Sequence, residues 1–291
     1  MSDVEDLDIR TIPIILYIML PISFVVLWLW GVAEDHFEAF SPYISDLGAR
    51  APESCLFSQV LNIAAVLFAL TFYFRYLLLR DFGDRSGLRR YDQYITANLV
   101  LGMLGALGIS FVGNYQSIFI TPLHMLGACL VLGLGIVYMW IDVHVSRYAH
   151  IAAPLSRRCL IGRTLLATFS TITLLFMIAG NQMGQHHLTH QPRDLYERLH
   201  WTRESGGYKG HIVGAVSEWL LLILELSYFG TFISEFGHFR MRYPMLLAVN
   251  PNITPVKNIE RIEDMDERHP MLAGHKKQWD GGKLKYSDEI L

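Results

Sequence analysis

Two glutamates lie in one long apolar stretch, where an ionisable side chain is costly. Glu218 and Glu225 are seven residues apart within 211–233, so a helix carries both on one face, two turns apart. A charge inside a membrane span costs several kcal/mol unless it is paired or neutralised. The pair indicates either a proton or ligand site or hydrogen bonds that fix helix packing. Asn114 and His124, on other apolar stretches, are candidate partners.

A second group of ionisable residues lies in the first loop, between two apolar stretches. The loop reads Ser41-Pro-Tyr-Ile-Ser-Asp-Leu-Gly48 and then Ala51-Pro-Glu-Ser54. Its prolines fix the backbone, Ser54 can cap the helix that follows, and the helix dipole favours Glu53. Asp46 and Glu53 therefore belong either to a structured cap on the helix ends or to a surface that contacts a lipid head group or a lumenal partner.

Three histidines lie close together in the loop 181–210, at His186, His187 and His190. His186 and His190 are four residues apart and could share a helical face, as zinc ligands do, but the glutamate of the metalloprotease motif is missing. Imidazole titrates between cytosolic and lysosomal pH, so a pH-responsive loop is a second interpretation, and a solvated loop is a third. We assign no cofactor and no metal site.

The composition indicates a membrane protein. The chain has 291 residues, of which 52% are hydrophobic, and its mean hydropathy is +0.30. Soluble domains seldom combine that length with that apolarity. The net charge of −3 supplies no basic field for nucleic acid. The three cysteines are far apart, which argues against a disulfide framework or a cysteine metal site.

Apolar stretches of spanning length predict an all-α, polytopic fold with six transmembrane helices. The chain then divides into a short segment 1–10, a six-helix domain 11–233, and a charged, proline-containing tail 234–291 that we expect to be mostly disordered. Arg75, near the end of the second span, is expected to snorkel to the interface. The spans are approximately 11–33, 54–79, 91–112, 122–141, 159–180 and 211–233.

The distribution of basic residues predicts the orientation. Loops 80–90 and 142–158 are rich in arginine, whereas the first and third loops have one basic residue, Arg50. The positive-inside rule then places both termini in the cytoplasm. The two basic loops could also contact anionic lipid head groups there.

Several short signals bear on location and activity. The segment Tyr243-Pro-Met-Leu246 has the form of a tyrosine-based endosomal sorting signal, with Tyr243 and Leu246 as its anchors. Cys159, at the edge of the fifth span, is a candidate palmitoylation site. The sequence contains no nucleophile elbow, P-loop or dinucleotide fingerprint. It therefore predicts a protein that is not an enzyme.

The chain also resembles a known family over about residues 10 to 240. The first-loop segments 42–46 and 52–54 are similar to the first-loop motif of the DRAM (damage-regulated autophagy modulator) family, whose wider superfamily of six-span proteins includes GPI-remodelling and phosphoinositide-kinase regulators. The fifth loop and the tail are longer than is usual for that family. Further similar segments are 108–116 with His124 and Gly127, 138–140, 146–148, Glu218-Trp219, 228–233 and Glu235-Phe236.

The resemblance implies a multi-pass protein of lysosomal or endosomal membranes that modulates autophagy through partner or lipid contacts. One alternative is a plasma-membrane scaffold that regulates a phosphatidylinositol kinase through the basic loops and the tail. Another is a lipid-handling or GPI-remodelling protein, or a transporter, which would use Glu218, Glu225, His124 and the first-loop carboxylates.

Overall fold

The protein is a helical bundle followed by a small hairpin. The computed structural model describes residues 8–40, 42–86, 91–149, 156–237, 277–280 and 283–286. Short 3-10 turns lie at Ile44–Gly48 and Arg203–Ser205. The helices are α1 (Thr11–Ala33), α2 (Glu53–Ser86), α3 (Asp92–Asn114), α4 (Thr121–Ala128), α5 (Leu134–Ala149), α6 (Arg157–His186), α7 (Leu195–Leu199), α8 (Tyr208–Gly230) and α9 (Phe232–Phe236).

Within these described residues, six helical segments are long and apolar enough to cross a membrane. A π-helical turn, Cys129–Gly133, joins α4 and α5 into one segment, and α8 continues into α9. The all-α, multi-pass architecture expected from the sequence is confirmed. The segments are Thr11–Ala33, Glu53–Arg80, Asp92–Asn114, Thr121–Arg147, Arg157–His186 and Tyr208–Phe236.

The last three segments are longer than the sequence indicated. The fourth extends to Arg147, and the sixth starts at Tyr208 and extends to Phe236. The fifth begins at Arg157 because the hydroxyl oxygen of Ser156 accepts a hydrogen bond from the backbone N–H of Cys159, 3.1 Å away. Polar residues that we had assigned to loops therefore lie on helices.

Helices α6 and α8 pack with their backbones in contact. Gly180 and Gly184 on α6 face Gly210 and Gly214 on α8, and each pair is spaced by four residues. A Cβ atom added to Gly180 would lie 2.9 Å from the carbonyl oxygen of Gly210. Small residues at this spacing let helices approach closely in lipid, where little else drives their association.

Aromatic side chains fill the core on the other side of α8. The ring of Phe72 on α2 lies 4.7 Å from that of Tyr138 on α5 and 5.4 Å from that of Phe229 on α8. Phe68, one turn before Phe72, packs edge-on against Phe229 at 5.3 Å. These rings hold α2, α5 and α8 at fixed separations.

Strands β1 (Lys277–Asp280) and β2 (Lys283–Tyr286) form an antiparallel hairpin in the tail, with Lys277 opposite Tyr286. The hairpin belongs to a compact unit separate from the helices, and the sequence analysis did not predict it. The remainder of the tail that we expected to be disordered lies outside the described residues.

Candidate functional site

The first loop is bonded to α8 by a tight turn. The backbone N–H of Tyr43 donates to Asp46 Oδ2 at 2.9 Å, which closes the 3-10 turn on itself. The next N–H, of Ile44, donates to Glu218 Oε2 at 2.7 Å. The structure thus places Asp46 and Glu218, which are far apart in the sequence, at the same turn. Glu218 has its partner in the first loop rather than on another span.

The carboxyl group of Asp46 lies in a partly buried position. Burial raises its pKa to about 7, although the hydrogen bond from the Tyr43 N–H opposes that shift. The ordinary value is 3.8. Asp46 therefore changes charge between the pH of an acidic compartment and that of the cytosol.

We expect the stability of the protein to depend on Asp46 between about pH 4 and pH 7. In that window the folded state keeps a proton on Asp46 that the unfolded state has lost, so the contribution of Asp46 to stability is greatest below pH 4 and is lost as pH rises to 7. Asp46→Asn removes this contribution. The melting temperature of the variant should therefore fall less between pH 5 and pH 8 than that of the wild type. Each kcal/mol of Asp46-dependent stability that is removed should make this fall about 2–4 °C smaller, measured on purified protein in detergent.

The matched control for this prediction is Asp92→Asn, at the first turn of α3. Asp92→Asn should keep the pH dependence of the wild type. Superimposable pH profiles for Asp46→Asn and the wild type would contradict the prediction.

Glu53 serves a different part of the first loop. Its two carboxylate oxygens lie 2.9 and 3.0 Å from Nδ1 of His36, and the residue is only 1% exposed. Glu53 is the first residue of α2, where the helix dipole favours a negative charge. The pair ties the segment after α1 to the start of α2, which agrees with the interpretation of this loop as a structured cap.

Asn114 belongs to a hydrogen-bonded group between α2 and α3. Its amide nitrogen donates to Asn62 Oδ1 at 2.9 Å, and Asn62 Nδ2 donates back to Asn114 Oδ1 at 3.0 Å. The hydroxyl of Ser110 donates to the same Asn62 oxygen at 2.8 Å. Asn114 therefore bonds to Asn62 instead of acting as a partner for the glutamates of α8.

A cavity of about 130 Å³ lies in the middle of the bundle, between α8 and the first four segments. Glu218, Glu225 and His124 all line it, so three residues that the sequence analysis singled out share one space. Most of the remaining lining is apolar. It includes Phe24, Leu61, Phe72, Leu132 and Leu222.

Glu225 is the more buried of the two carboxyl-bearing residues that line the cavity. The residue is 7% exposed, and its Oε1 atom has no hydrogen-bond partner among the described residues. A Cβ atom added to Gly135 of α5 would lie 3.4 Å from that oxygen, so the carboxyl group faces bare backbone. Glu218 lines the same cavity two turns away, as the seven-residue spacing predicts.

His124 is held by the connection between α3 and α4. Its Nδ1 atom lies 2.7 Å from the carbonyl oxygen of Tyr115, which can only accept a hydrogen bond. Nδ1 is therefore the protonated nitrogen, and Nε2 of a neutral ring is an acceptor. The side chain is buried, since the residue is 5% exposed.

The histidine-rich loop does not assemble a metal site in the structure. The rings of His186 and His187 meet edge-on at 5.0 Å, whereas His190 Nε2 lies 2.5 Å from Glu197 Oε1. Among the described residues, no group of three or more His, Cys, Asp or Glu side chains is arranged to hold a metal ion. Hydrogen bonds from the Arg193 N–H and from His190 lower the pKa of Glu197. The loop is thus ordered by local pairs, including His190 with Glu197.

A cluster of four charges, three of them buried and the fourth, Glu235, 12% exposed, lies where α2, α5, α6 and α9 meet. Arg75 Nε is 3.0 Å from Asp142 Oδ1, and Arg75 also contacts the carboxylate of Glu235. Arg163 Nη2 is 2.6 Å from Glu235 Oε1, and its Nη1 is 3.6 Å from Asp142 Oδ2. Arg163 and Asp142 are fully buried. We call these four residues the charged cluster; its two positive and two negative charges cancel.

Aromatic residues of the last segment complete the charged cluster. The hydroxyl of Tyr228 donates to Asp142 Oδ2 at 2.9 Å. The ring of Phe232 lies against both guanidinium groups, 4.9 Å from Arg75 and 4.7 Å from Arg163. Cation–π contacts of this kind add stabilisation where the cation has lost its water.

The charged cluster corrects two expectations. Arg75 does not snorkel to the interface, because it is 2% exposed and paired inside the bundle. The sequence predicts Asp142 in the loop 142–158 and Glu235 in the tail 234–291, but both lie on helices. Arg75 itself could have indicated the cluster from the sequence, since an arginine within a span needs a partner of opposite charge.

The remaining predicted residues are placed as follows. Cys159 is half-buried in the first turn of α6, and its thiol is free. Tyr243 and Leu246 lie outside the described residues. The sorting and palmitoylation signals therefore stay predictions.

Comparison with known proteins gives matches over most of the chain. A family model described as the Frag1/DRAM/Sfk1/Cwh43P N-terminal domain matches residues 9–239. "DNA damage-regulated autophagy modulator protein 2" of Homo sapiens is 32% identical over 231 residues, which is 79% of this chain and 85% of that protein. No solved structure matches.

Two further relatives carry similar names. "Modulator of macroautophagy TMEM150B" of Danio rerio is 33% identical over 200 residues, covering 68% of this chain and 71% of that protein. "DNA damage-regulated autophagy modulator protein 1" of Homo sapiens is 26% identical over 231 residues, covering 79% and 92%. All three alignments span most of both chains.

Proposed function

The chain belongs to the Frag1/DRAM/Sfk1/Cwh43P family, and on that premise we propose that it is a multi-pass membrane protein that modulates autophagy. The observation that carries the proposal is the alignment of 79% of the chain with a relative named as an autophagy modulator. The six apolar helical segments support the membrane location. The role is non-catalytic and is exerted through partner or lipid contacts.

The non-catalytic role is supported by the way the first-loop carboxylates are used. Glu53 is bonded to His36, and Asp46 accepts from the Tyr43 N–H, so both carboxyl groups hold the cap together. Groups engaged in this way keep a surface rigid for recognition. We assign partner or lipid contacts to the first-loop end of the bundle.

Orientation and location are part of the same proposal. Both termini lie in the cytoplasm, since the arginine-rich connections between the second and third segments and between the fourth and fifth segments then face that side. The first-loop end consequently faces the lumen of a lysosome or endosome. There Asp46, with its raised pKa, is protonated in the resident state. The plasma membrane is the alternative location.

Removal of the protein from cells is expected to change autophagic flux at least twofold during starvation. Flux is measured as the turnover of a lipidated autophagosome marker with and without a lysosomal protease inhibitor. Expression of the wild type should restore the normal value. Equal flux in null and rescued cells would contradict an autophagy-modulating role.

Localisation of tagged protein at native expression separates the two membranes. Residence on acidic organelles that is lost in Tyr243→Ala supports the lysosomal or endosomal assignment. Steady residence at the cell surface in both forms favours the scaffold that regulates a phosphatidylinositol kinase. The tail that such a scaffold would use lies largely outside the described residues, as do parts of the two basic loops.

The central cavity favours a second candidate, a lipid-handling or transport role. Glu218, Glu225 and His124 line one mostly apolar space within the bundle, and ligand sites are commonly apolar pockets with a few polar groups. Purified protein in liposomes that neither moves nor alters any lipid would count against this candidate.

A further inference from the structure

We propose that the central cavity binds a single-chain amphiphile whose head group donates hydrogen bonds, namely a long-chain amine or alcohol, and that Glu225 anchors that head group. This goes beyond an autophagy-modulating role, because it assigns a ligand site that would exist whatever pathway the protein serves. It rests on the contacts of the carboxyl groups, on the charge of the lining and on the size of the cavity.

The carboxyl group of Glu225 has a buried oxygen that accepts no hydrogen bond from the described residues. Glu218 Oε2 already accepts from the Ile44 N–H at 2.7 Å, whereas Glu225 Oε1 has no partner among the described residues. A buried polar atom left without a hydrogen bond is costly, so a donor supplied by a ligand is favourable. Gly135 lies beside the carboxyl group, where a side chain would contact it: an added Cβ atom would lie 3.4 Å from Oε1 and 3.8 Å from Oε2.

The charge of the lining selects the head group. The ionisable residues that line the cavity are two glutamates, one histidine and Tyr138. No lysine or arginine is among the lining residues that the structure describes. A carboxylate or phosphate head would find no cation here and would face two acids. An ammonium or hydroxyl group donates to a carboxyl oxygen whether or not that carboxyl is ionised.

The size of the cavity selects a single chain. Its volume of about 130 Å³ is close to that of an apolar cavity that accommodates benzene, roughly 150 Å³. A space of this size admits the head group and one short stretch of a single alkyl chain, so the rest of a long chain lies outside it. Phe24, Leu61 and Leu132 supply apolar contacts for that chain.

The test is photo-crosslinking of purified full-length protein in nanodiscs. The probe is a sixteen-carbon amine with a photoreactive diazirine in its chain, compared with an alcohol and a fatty acid of the same chain length and label. We expect the amine or the alcohol to label peptides of α3, α5 or α8 at least tenfold more than the fatty acid. Unlabelled amine or alcohol should compete for this labelling.

Variants then locate the site. Glu225→Leu keeps the bulk of the side chain and removes the acceptor, and it should lower labelling by both probes at least tenfold. Glu225→Gln separates the two head groups, because it should reduce labelling by the amine more than labelling by the alcohol. Preference for the amine assigns an ion pair, and equal labelling assigns a neutral hydrogen bond.

A matched pair of glycine variants tests the cavity itself. Gly105 lines the cavity, and a Cβ atom there meets only the Leu130 carbonyl oxygen at 3.7 Å, so Gly105→Leu should fill the space and abolish labelling. Gly133 is not a lining residue and has nothing within 4 Å of an added Cβ, so Gly133→Leu should retain it.

The proposal is overturned by either of two results on the wild type alone, which do not depend on the folding of any variant. One is equal labelling by the fatty acid and the donor-bearing probes. The other is labelling that unlabelled amine and alcohol both fail to compete. Since neither measurement involves autophagic flux, failure here leaves the proposed function standing.

Discussion

Replacement of Arg163 by methionine is expected to destabilise the protein by about 3–5 kcal/mol, the usual cost of removing one partner from a buried ion pair. Arg163 is fully buried and contacts both Asp142 and Glu235. Without it the charged cluster holds two negative charges against one positive charge. The loss should appear as a lower midpoint in denaturant unfolding of the purified protein. Arg158→Met, at an exposed position of the same helix, is the control and should be nearly neutral.

A double variant distinguishes charge balance from packing. Arg163→Met combined with Glu235→Gln leaves Arg75 and Asp142 as a neutral pair at 3.0 Å. We expect the double variant to recover at least half of the stability that the single variant loses. A double variant as unstable as Arg163→Met would show that the packing of the arginine, rather than its charge, is the main contribution.

Replacement of Gly210 by alanine is expected to have the second large effect. The added Cβ would overlap the backbone nitrogen of Gly184 on α6, and backbone cannot move aside as a flexible side chain can. Overpacking of this kind costs about 1–3 kcal/mol and occasionally more. We expect a lower melting temperature and less monodisperse protein after purification.

The control for Gly210→Ala is Gly162→Ala on α6. A Cβ atom at Gly162 meets nothing within 4 Å, so this variant should be neutral or slightly stabilising, since alanine favours a helix more than glycine does. Equal effects of the two alanines would contradict the close approach of α6 and α8.

The sequence predicted elements that depend on local pattern and missed contacts that depend on distant pairing. The apolar stretches gave six spans, and the seven-residue spacing put Glu218 and Glu225 on one face. The contact of Glu218 with the Ile44 N–H joins residues 174 positions apart, and no local pattern encodes it. Such a contact depends on how α8 packs against the first loop.

The ends of the helices also depend on contacts with distant residues, which local pattern does not encode. Hydropathy places the end of the fourth span near residue 141, because Asp142 is charged and polar residues recur after it. The helix nevertheless continues, since Asp142 is neutralised by Arg75 from α2. Hydropathy cannot register a charge that another segment cancels. The same reason explains why Glu235 was assigned to the tail although it lies on α9.

The π-helical turn Cys129–Gly133 has a consequence for the phase of the fourth segment. A turn of this type accommodates one more residue than an α-helical turn. Each residue after the turn therefore lies on the helix face that the residue before it in the sequence would occupy if the helix were α-helical throughout. Deletion of a single residue within the turn should therefore yield a continuous α-helix with His124 and Asp142 still on their present faces. A change in length that would rotate any ordinary helix by about 100° is absorbed here without rotation. The segment can vary in length at this one place while both ends keep their partners.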